Sequence, residues 1–389
     1  MTSAQIPDVV GLLCDLVALD TTNPAGNEAG AAGLLADVLR QGGFDVELDE
    51  VAPGRPNLIA RAEFGSGGPT VMLNSHLDVV PAGPGWTSPP FEPTQRDGRL
   101  YGRGAADAKG SLAAMAVAAL GLLEEAAGLS GTLVYTAVVD EEVGSTGARR
   151  LLTDHRPDAA IVGEPTGGRL FTAHKGSVRP VIEVTGVAAH AATPHNGVNA
   201  IVHAAQLVEL ITDYAGVLAG RSHPLVGAPT VTPVLVEGGE APNAVPERCR
   251  LTLDRRLVPG ETDRDALVEV EQILERFNAE HAPAQARISA CAPSTGGPSE
   301  TPADHPFVVA CQLGLAGAGL SPELGGLVVN CDMTHFRAAG IPCLVVGPGE
   351  LEVMHAVDES VALDDLRCGV RGYEAILREL LRHEGAWWR

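Results

Sequence analysis

TLVYTAVVDEEVG, residues 132–144, decides how the rest of the chain is read. An apolar, β-branched run proceeds without interruption and stops on Asp140, Glu141 and Glu142. Such a run is what a fully buried strand looks like. Three adjacent carboxylates at its end repel one another. Either they sit on a solvated loop, as most acidic clusters do, or they surround a cation.

The same pattern recurs outward from this stretch. VMLNS runs into His76, with Asp78 two residues on. AAIV is followed by Gly163 and Glu164, and CLVVGPGELEVMHAVDE leads to His355. Helical patterns at 4–19, 28–41, 111–126, through GARRLLTDH and at 363–382 alternate with these strands. That alternation predicts an α/β class with a mixed, largely parallel sheet flanked by helices. Parallel strands bring their carboxyl ends to one edge, where open α/β sheets bind ligands.

After Lys175 the texture changes. Strands in SVRPVIEVTGVAAH, TVTPVLVEGG, RCRLTLDRRLV and ARISACAP, with helices at 198–214 and 262–279, predict a small α+β domain. The stretch 292–306 is rich in Pro, Gly, Ser and Thr and reads as a linker. The expected organisation is a catalytic domain in two parts, 1–176 and 294–389, interrupted by an inserted domain at 177–293.

Composition narrows the function. Apolar residues make up 45 % of the 389, enough for sizeable cores. Lys plus Arg is 27 against 49 for Asp plus Glu, a formal charge of −22 that disfavours nucleic acid and anionic membranes as partners. The longest apolar run, 112–123, is too short to span a bilayer and predicts a buried helix. No secretion signal opens the chain, and the seven cysteines form no CxxC pair, so a reduced, cytoplasmic setting is expected.

Histidines and carboxylates without cysteine suit a catalytic ion, zinc first, with cobalt or manganese as substitutes. No HExxH helix is present. Two histidines and several carboxylates exceed what one tetrahedral ion needs. A pair of ions about 3.5–4 Å apart, sharing a bridging carboxylate, would use them. Asp107, in the glycine-rich GRGAADAKG, can supply that bridge. A phosphate loop is the rival there, but neither GxGxxG nor a Walker pattern is present. Spacing alone does not say which of Glu141 and Glu142 binds metal.

SHLDVVPAG, YGRGAADAKG, VVDEEVGSTGA, VGEPT, HKGSVRPVIEVTGVAAHAATPHNGVNAI, GGEAPNAVPERCRLTLDRRLVPGE, GIPCLVVGPG and MHAVDESV stand in this order along the chain. Together they resemble the zinc aminoacylase and exopeptidase family that contains acetylornithine deacetylase, succinyl-diaminopimelate desuccinylase and carboxypeptidase G. The resemblance implies a dizinc exopeptidase-like fold whose inserted domain serves as lid and dimerisation module. It implies one zinc on His76, Asp107 and Glu164, and a second on Asp107, Glu142 and His355. Asp78 would orient His76, Glu141 would be the general base, and a cis peptide would follow Asp107. His190 would stabilise the oxyanion of the other subunit in a homodimer, although Ala191 and Ala192 replace the hydroxyl residues often found after it. Asn243 and Arg256 fall on substrate-binding positions, with Arg255 as the rival for the latter, and Gly347 could let backbone approach the ligand. Asp332, Thr334 and His335 are weaker candidates for the pocket wall. The expected reaction is cleavage of the amide of a small N-acyl amino acid or related amine. The alternatives are a metallo-dipeptidase or carboxypeptidase acting on a dipeptide and, in a different class, a non-catalytic binding protein.

Overall fold

The structure, a computed structural model, describes residues 6–383 and 387–388. The chain divides into two compact units: residues 1–173, 300–326 and 331–389 form one, and 174–299 with 327–330 the other.

The first unit is built on a mixed sheet. Its central strands lie in the order Gly131–Val138, Thr70–His76, Ala159–Val162, Cys343–Val345, and each neighbouring pair is parallel. Arg55–Phe64 pairs antiparallel with the first of these, and Asp45–Ala52 with Arg55–Phe64 in turn. Leu133, Tyr135, Leu73, Ile161 and Leu344 are fully buried in one cluster with residues of the flanking helices. The helix Lys109–Glu124 is buried on nearly every side, which is why its sequence is apolar all round rather than amphipathic. The helix Leu363–Leu380 packs against it and buries Leu366, Tyr373, Ile376 and Leu377.

The second unit is a four-stranded antiparallel sheet in the order Thr230–Gly238, Arg248–Leu257, Gly176–Thr185, Gln285–Ala292. The helices Ala200–Leu218 and Asp263–Glu280 share a core with it through Leu207, Ile211, Leu274, Phe277, Ile182 and Leu251. Ala200–Leu218, although interrupted by His203, Gln206, Glu209 and Asp213, is long and apolar enough by length and composition to cross a bilayer. It buries Ala200, Ala204, Leu207, Ile211, Tyr214 and Leu218, a helical stripe facing the sheet.

The structure corrects several boundaries. The first helix begins at Val9, because the Asp8 carboxylate accepts the Gly11 amide and caps it; residues 4–5 of the expected helix lie outside the described residues. The 292–306 stretch holds a short strand, Ser299–Glu300. Strand Leu170–His174 and helices Pro306–Gly317 and Met333–Ala338 went unread. Pro306–Gly317 is apolar on both faces and carries three glycine-or-alanine positions in its last turn, so it shows no 3.6-residue stripe.

Candidate metal centre

The four parallel strands deliver their chemistry at their carboxyl ends. Thr70–His76 ends on His76 itself. Gly131–Val138 ends two residues before Asp140, Ala159–Val162 two before Glu164, and Cys343–Val345 leads through a short helical turn to His355. Asp107 comes from the loop before the helix Lys109–Glu124, and its bond to Ala108 is cis.

These side chains converge. His76 Nε2 lies 3.1 Å from Asp107 Oδ1 and 3.9 Å from Glu164 Oε2. His355 Nε2 lies 3.1 Å from Asp107 Oδ2 and 3.1 Å from Glu142 Oε2. Asp107 thus presents one oxygen to each imidazole. His76, Asp107 and Glu142 alone offer three ligand atoms within 4.8 Å of one another. Glu142 Oε1 is buried with no hydrogen-bond partner among the described residues. His76, Asp107, Glu141 and Glu164 are buried, whereas half of the His355 side chain is exposed.

Without a cation, burial drives Glu141, Glu142 and Glu164 toward their protonated forms. Burial pushes the Glu164 carboxyl up to about 8 and lifts Glu141 and Glu142 above the ordinary carboxylate range. Burial also acts to raise Asp107, but hydrogen bonds with His355 and His76 win and hold it well below that range. Hydrogen bonds with Asp107 and Glu142 carry His355 up to about 10. Buried carboxylates in excess over imidazoles, with a shielded oxygen to spare, suit divalent cations.

The supports differ in part from the sequence reading. His76 Nδ1 sits 2.8 Å from the backbone carbonyl of Asp78, and the Asp78 carboxylate is farther, at 3.7 Å. A carbonyl can only accept, so Nδ1 carries the proton and Nε2 keeps its lone pair for a ligand. The Asp78 carboxylate instead accepts the amides of Glu141 at 3.0 Å and Glu142 at 3.2 Å. It holds the turn that presents both glutamates.

Asp140, the first member of the acidic trio, faces away from this chemistry. Its carboxylate accepts Asn23 Nδ2 at 3.0 Å and Thr146 Oγ1 at 2.8 Å, with Arg55 Nη1 at 3.5 Å. Asn23 also donates to Asp78 Oδ2 at 2.9 Å, coupling the two acids. Asn23 has no signal in the sequence beyond its place before a proline.

Gly347 is closely hemmed in by its neighbours. A Cβ there would stand 2.5 Å from the Glu164 carbonyl and 2.3 Å from Ser111 Oγ. The bare glycine admits the backbone that carries Glu164. Asp332 is buried and accepts Asn74 Nδ2 at 3.3 Å.

Within the second unit, His190 pairs with Ala244 across two short strands, and Ala191 N donates to Asn243 O at 2.9 Å. His190 and Asn243 are therefore neighbours. Ala192 N donates to His190 Nδ1 at 3.0 Å, which leaves the proton of the neutral ring on Nε2. The backbone here serves the ring, so the alanines after it cost no orienting bond. Arg255 is buried and donates to Tyr214 Oη and Glu261, while Arg256 is half-buried with Nε 2.6 Å from Asp254 Oδ1. Alternation along the strand buries Arg255 in the core of its own unit.

The sequence profile of the peptidase family M20/M25/M40 matches residues 72–379. The chain belongs to this family. An acetylornithine deacetylase of Proteus mirabilis is 33% identical over 371 residues, 92% of each chain. A succinyl-diaminopimelate desuccinylase of Xanthomonas oryzae pv. oryzae is 34% identical, covering 96% of this chain and 99% of its own. The crystal structure of a tripeptidase from Staphylococcus aureus superposes with a TM-score of 0.80 over 98% of this chain and all of that one, at 22% identity, a likeness of fold. The M20 family is metal-dependent, and the chain is accordingly a hydrolase of the deacylase and peptidase class.

Proposed function

We propose that this M20-family chain is a dimeric, two-metal amidohydrolase that removes the acyl group from a small N-acyl amino acid or related amine. The observation that carries the reading is the placement of the two Asp107 oxygens, each 3.1 Å from a different imidazole. His76, Asp107 and Glu164 would hold one ion, and Asp107, Glu142 and His355 the other. Zinc suits this donor set first, and cobalt or manganese can replace it.

When bound, such a pair polarises the amide carbonyl and makes an attacking water acidic at neutral pH. Glu141 takes the proton of that water as its oxygen adds to the carbonyl carbon. Glu141 then returns the proton to the nitrogen as the C–N bond breaks, giving carboxylate and amine. His190, with its proton on Nε2, donates to the developing oxyanion. Arg256, half-buried and paired with Asp254, is the candidate to meet a substrate carboxylate, since Arg255 is buried and engaged by Glu261 and Tyr214.

The acetylornithine deacetylase and desuccinylase names of the full-length relatives favour a deacylase. The tripeptidase fold keeps peptide cleavage as the second reading. A panel of N-acetyl, N-formyl and N-succinyl amino acids beside dipeptides, with zinc and with cobalt, decides between them. An N-acyl amino acid is expected to give the highest kcat/KM; a dipeptide in that place would establish the second reading.

The homodimer is supported by the outer strand Thr230–Gly238, which exposes Val234, Leu235 and Val236, and by Ile201 and Val202 on the helix Ala200–Leu218. An unpaired apolar edge of this kind pairs readily with a second copy. One experiment tests the dimer and the lid histidine together. His190→Ala and Glu141→Gln are each expected to be nearly inactive, and co-expression of the two variants should restore activity in mixed dimers. Sedimentation as a monomer, or no complementation between the variants, would refute the cross-subunit role.

A further inference from the structure

Glu359 lies four residues beyond His355, in MHAVDESV, and its carboxylate is buried at 1 % exposure. Every bond it makes runs to the loop that ends in Asp107. Oε1 accepts the amides of Ala106 and Asp107, both at 2.9 Å. Oε2 accepts the Gly104 amide at 3.1 Å and Arg103 Nη1 at 2.6 Å. Four donors saturate a carboxylate.

Arg103 is equally buried and lies over the Trp86 ring, 5.1 Å from its centroid. Its Nη2 faces the carbonyls of Pro81 at 3.5 Å, Ala82 at 3.4 Å and His355 at 3.4 Å. One buried ion pair therefore joins the segment after Asp78, the Asp107 loop and the backbone of His355.

We propose that Glu359 is a positioning residue for the metal centre: by gripping the amides up to and including that of Asp107 from the segment that carries His355, it sets where the bridging carboxylate stands relative to that histidine. This inference rests on the reading of Asp107 as the shared ligand. The carboxylate charge is essential to it. All four atoms around Glu359 are donors, so a glutamine in either flip would set its own N–H₂ against an amide or guanidinium and leave Arg103 without a countercharge. Mutation of such an outer partner typically weakens metal binding about 10–100-fold.

The test is a Co²⁺ titration of metal-free protein, followed by visible absorption and calorimetry, for the wild type, Glu359→Gln, Glu359→Asp, Arg103→Lys and Glu164→Ala. Wild-type protein that takes up no cobalt, or Glu164→Ala with unchanged uptake, defeats the metal-centre reading itself. With those two behaving as expected, folded Glu359→Gln should bind cobalt about 10–100-fold more weakly with an altered visible band, and Glu359→Asp should recover part of the loss. A purely structural role predicts a lowered melting temperature with the wild-type affinity and spectrum, and that result overturns the inference. Should Glu359→Gln not fold, Arg103→Lys takes its place: it keeps the charge and loses the fork, and it too should weaken cobalt binding. Wild-type binding by Arg103→Lys, or failure of all three Glu359 and Arg103 variants to fold, also overturns it.

Discussion

Glu141→Gln folds, takes up metal as the wild type does, and hydrolyses its substrate about 10²–10⁴-fold more slowly. The amide is isosteric with the carboxylate but accepts no proton from water. The turn should survive the change, because Asp78 holds it through the Glu141 and Glu142 amides and not through the side chain. Burial lifts the Glu141 carboxyl well above its ordinary range, with Asp332, Glu164 and Glu142 adding to the effect and His76 opposing it. A carboxylate raised in this way both takes and returns a proton more evenly near neutral pH. The acid limb of kcat/KM in the wild type should report that titration and be missing from the residual activity of the variant. Metal content decides the role: if Glu141→Gln loses metal and Glu142→Gln keeps it, the two glutamates exchange roles.

Stripping the metal abolishes hydrolysis and leaves a protein whose stability falls as pH rises. The Glu164 carboxyl stands at about 8 in the fold against 4.5 ordinarily, so the folded state holds a proton the unfolded chain has released. That contribution is complete below 4.5 and gone once pH passes about 8. His355, carried to about 10 by its hydrogen bonds with Asp107 and Glu142, acts in the same direction above its ordinary 6.5. Asp107, held low, matters only in acid, where its contribution is lost as pH falls below its ordinary 3.8. One such proton changes stability by up to about 1.4 kcal/mol per pH unit. Metal reverses the trend, because its ligands must be deprotonated to bind. Urea unfolding of chelator-treated and zinc-loaded protein at pH 5 and pH 8 should show a gap that widens with pH. Glu164→Gln should flatten the slope of the metal-free form; a metal-free protein more stable at pH 8 than at pH 5 contradicts the account.

Much of this was legible locally. Unbroken apolar runs that end in His or a carboxylate mark buried parallel strands, and parallel strands put those ends on one edge. His76, the carboxylates at 140–142, Glu164 and His355 follow from that logic, and Asp107 from its glycine-rich loop. The roles of Glu141 and Glu142 came from family resemblance, since neighbours on an extended chain differ only in which way they point. Helix Pro306–Gly317 shows no polar face in its sequence, because Val309 and Leu313 on its exposed side are as apolar as its buried residues.

The sequence by itself determined the alternation of the main strands and helices, the α/β class and the residues available for a metal, because each is written in patterns a few residues long. Tertiary structure decided the pairings across distance. Asp140 proved an anchor held by Asn23, Thr146 and Arg55 rather than a third member of an acidic site. The partner of His76 is the Asp78 carbonyl, and the Asp78 carboxylate grips the next strand's turn. Arg103 and Glu359 meet across 256 residues of sequence. No local period encodes such a pair; only the packed chain brings a buried donor and a buried acceptor within reach, and the penalty for leaving either unpaired fixes them together.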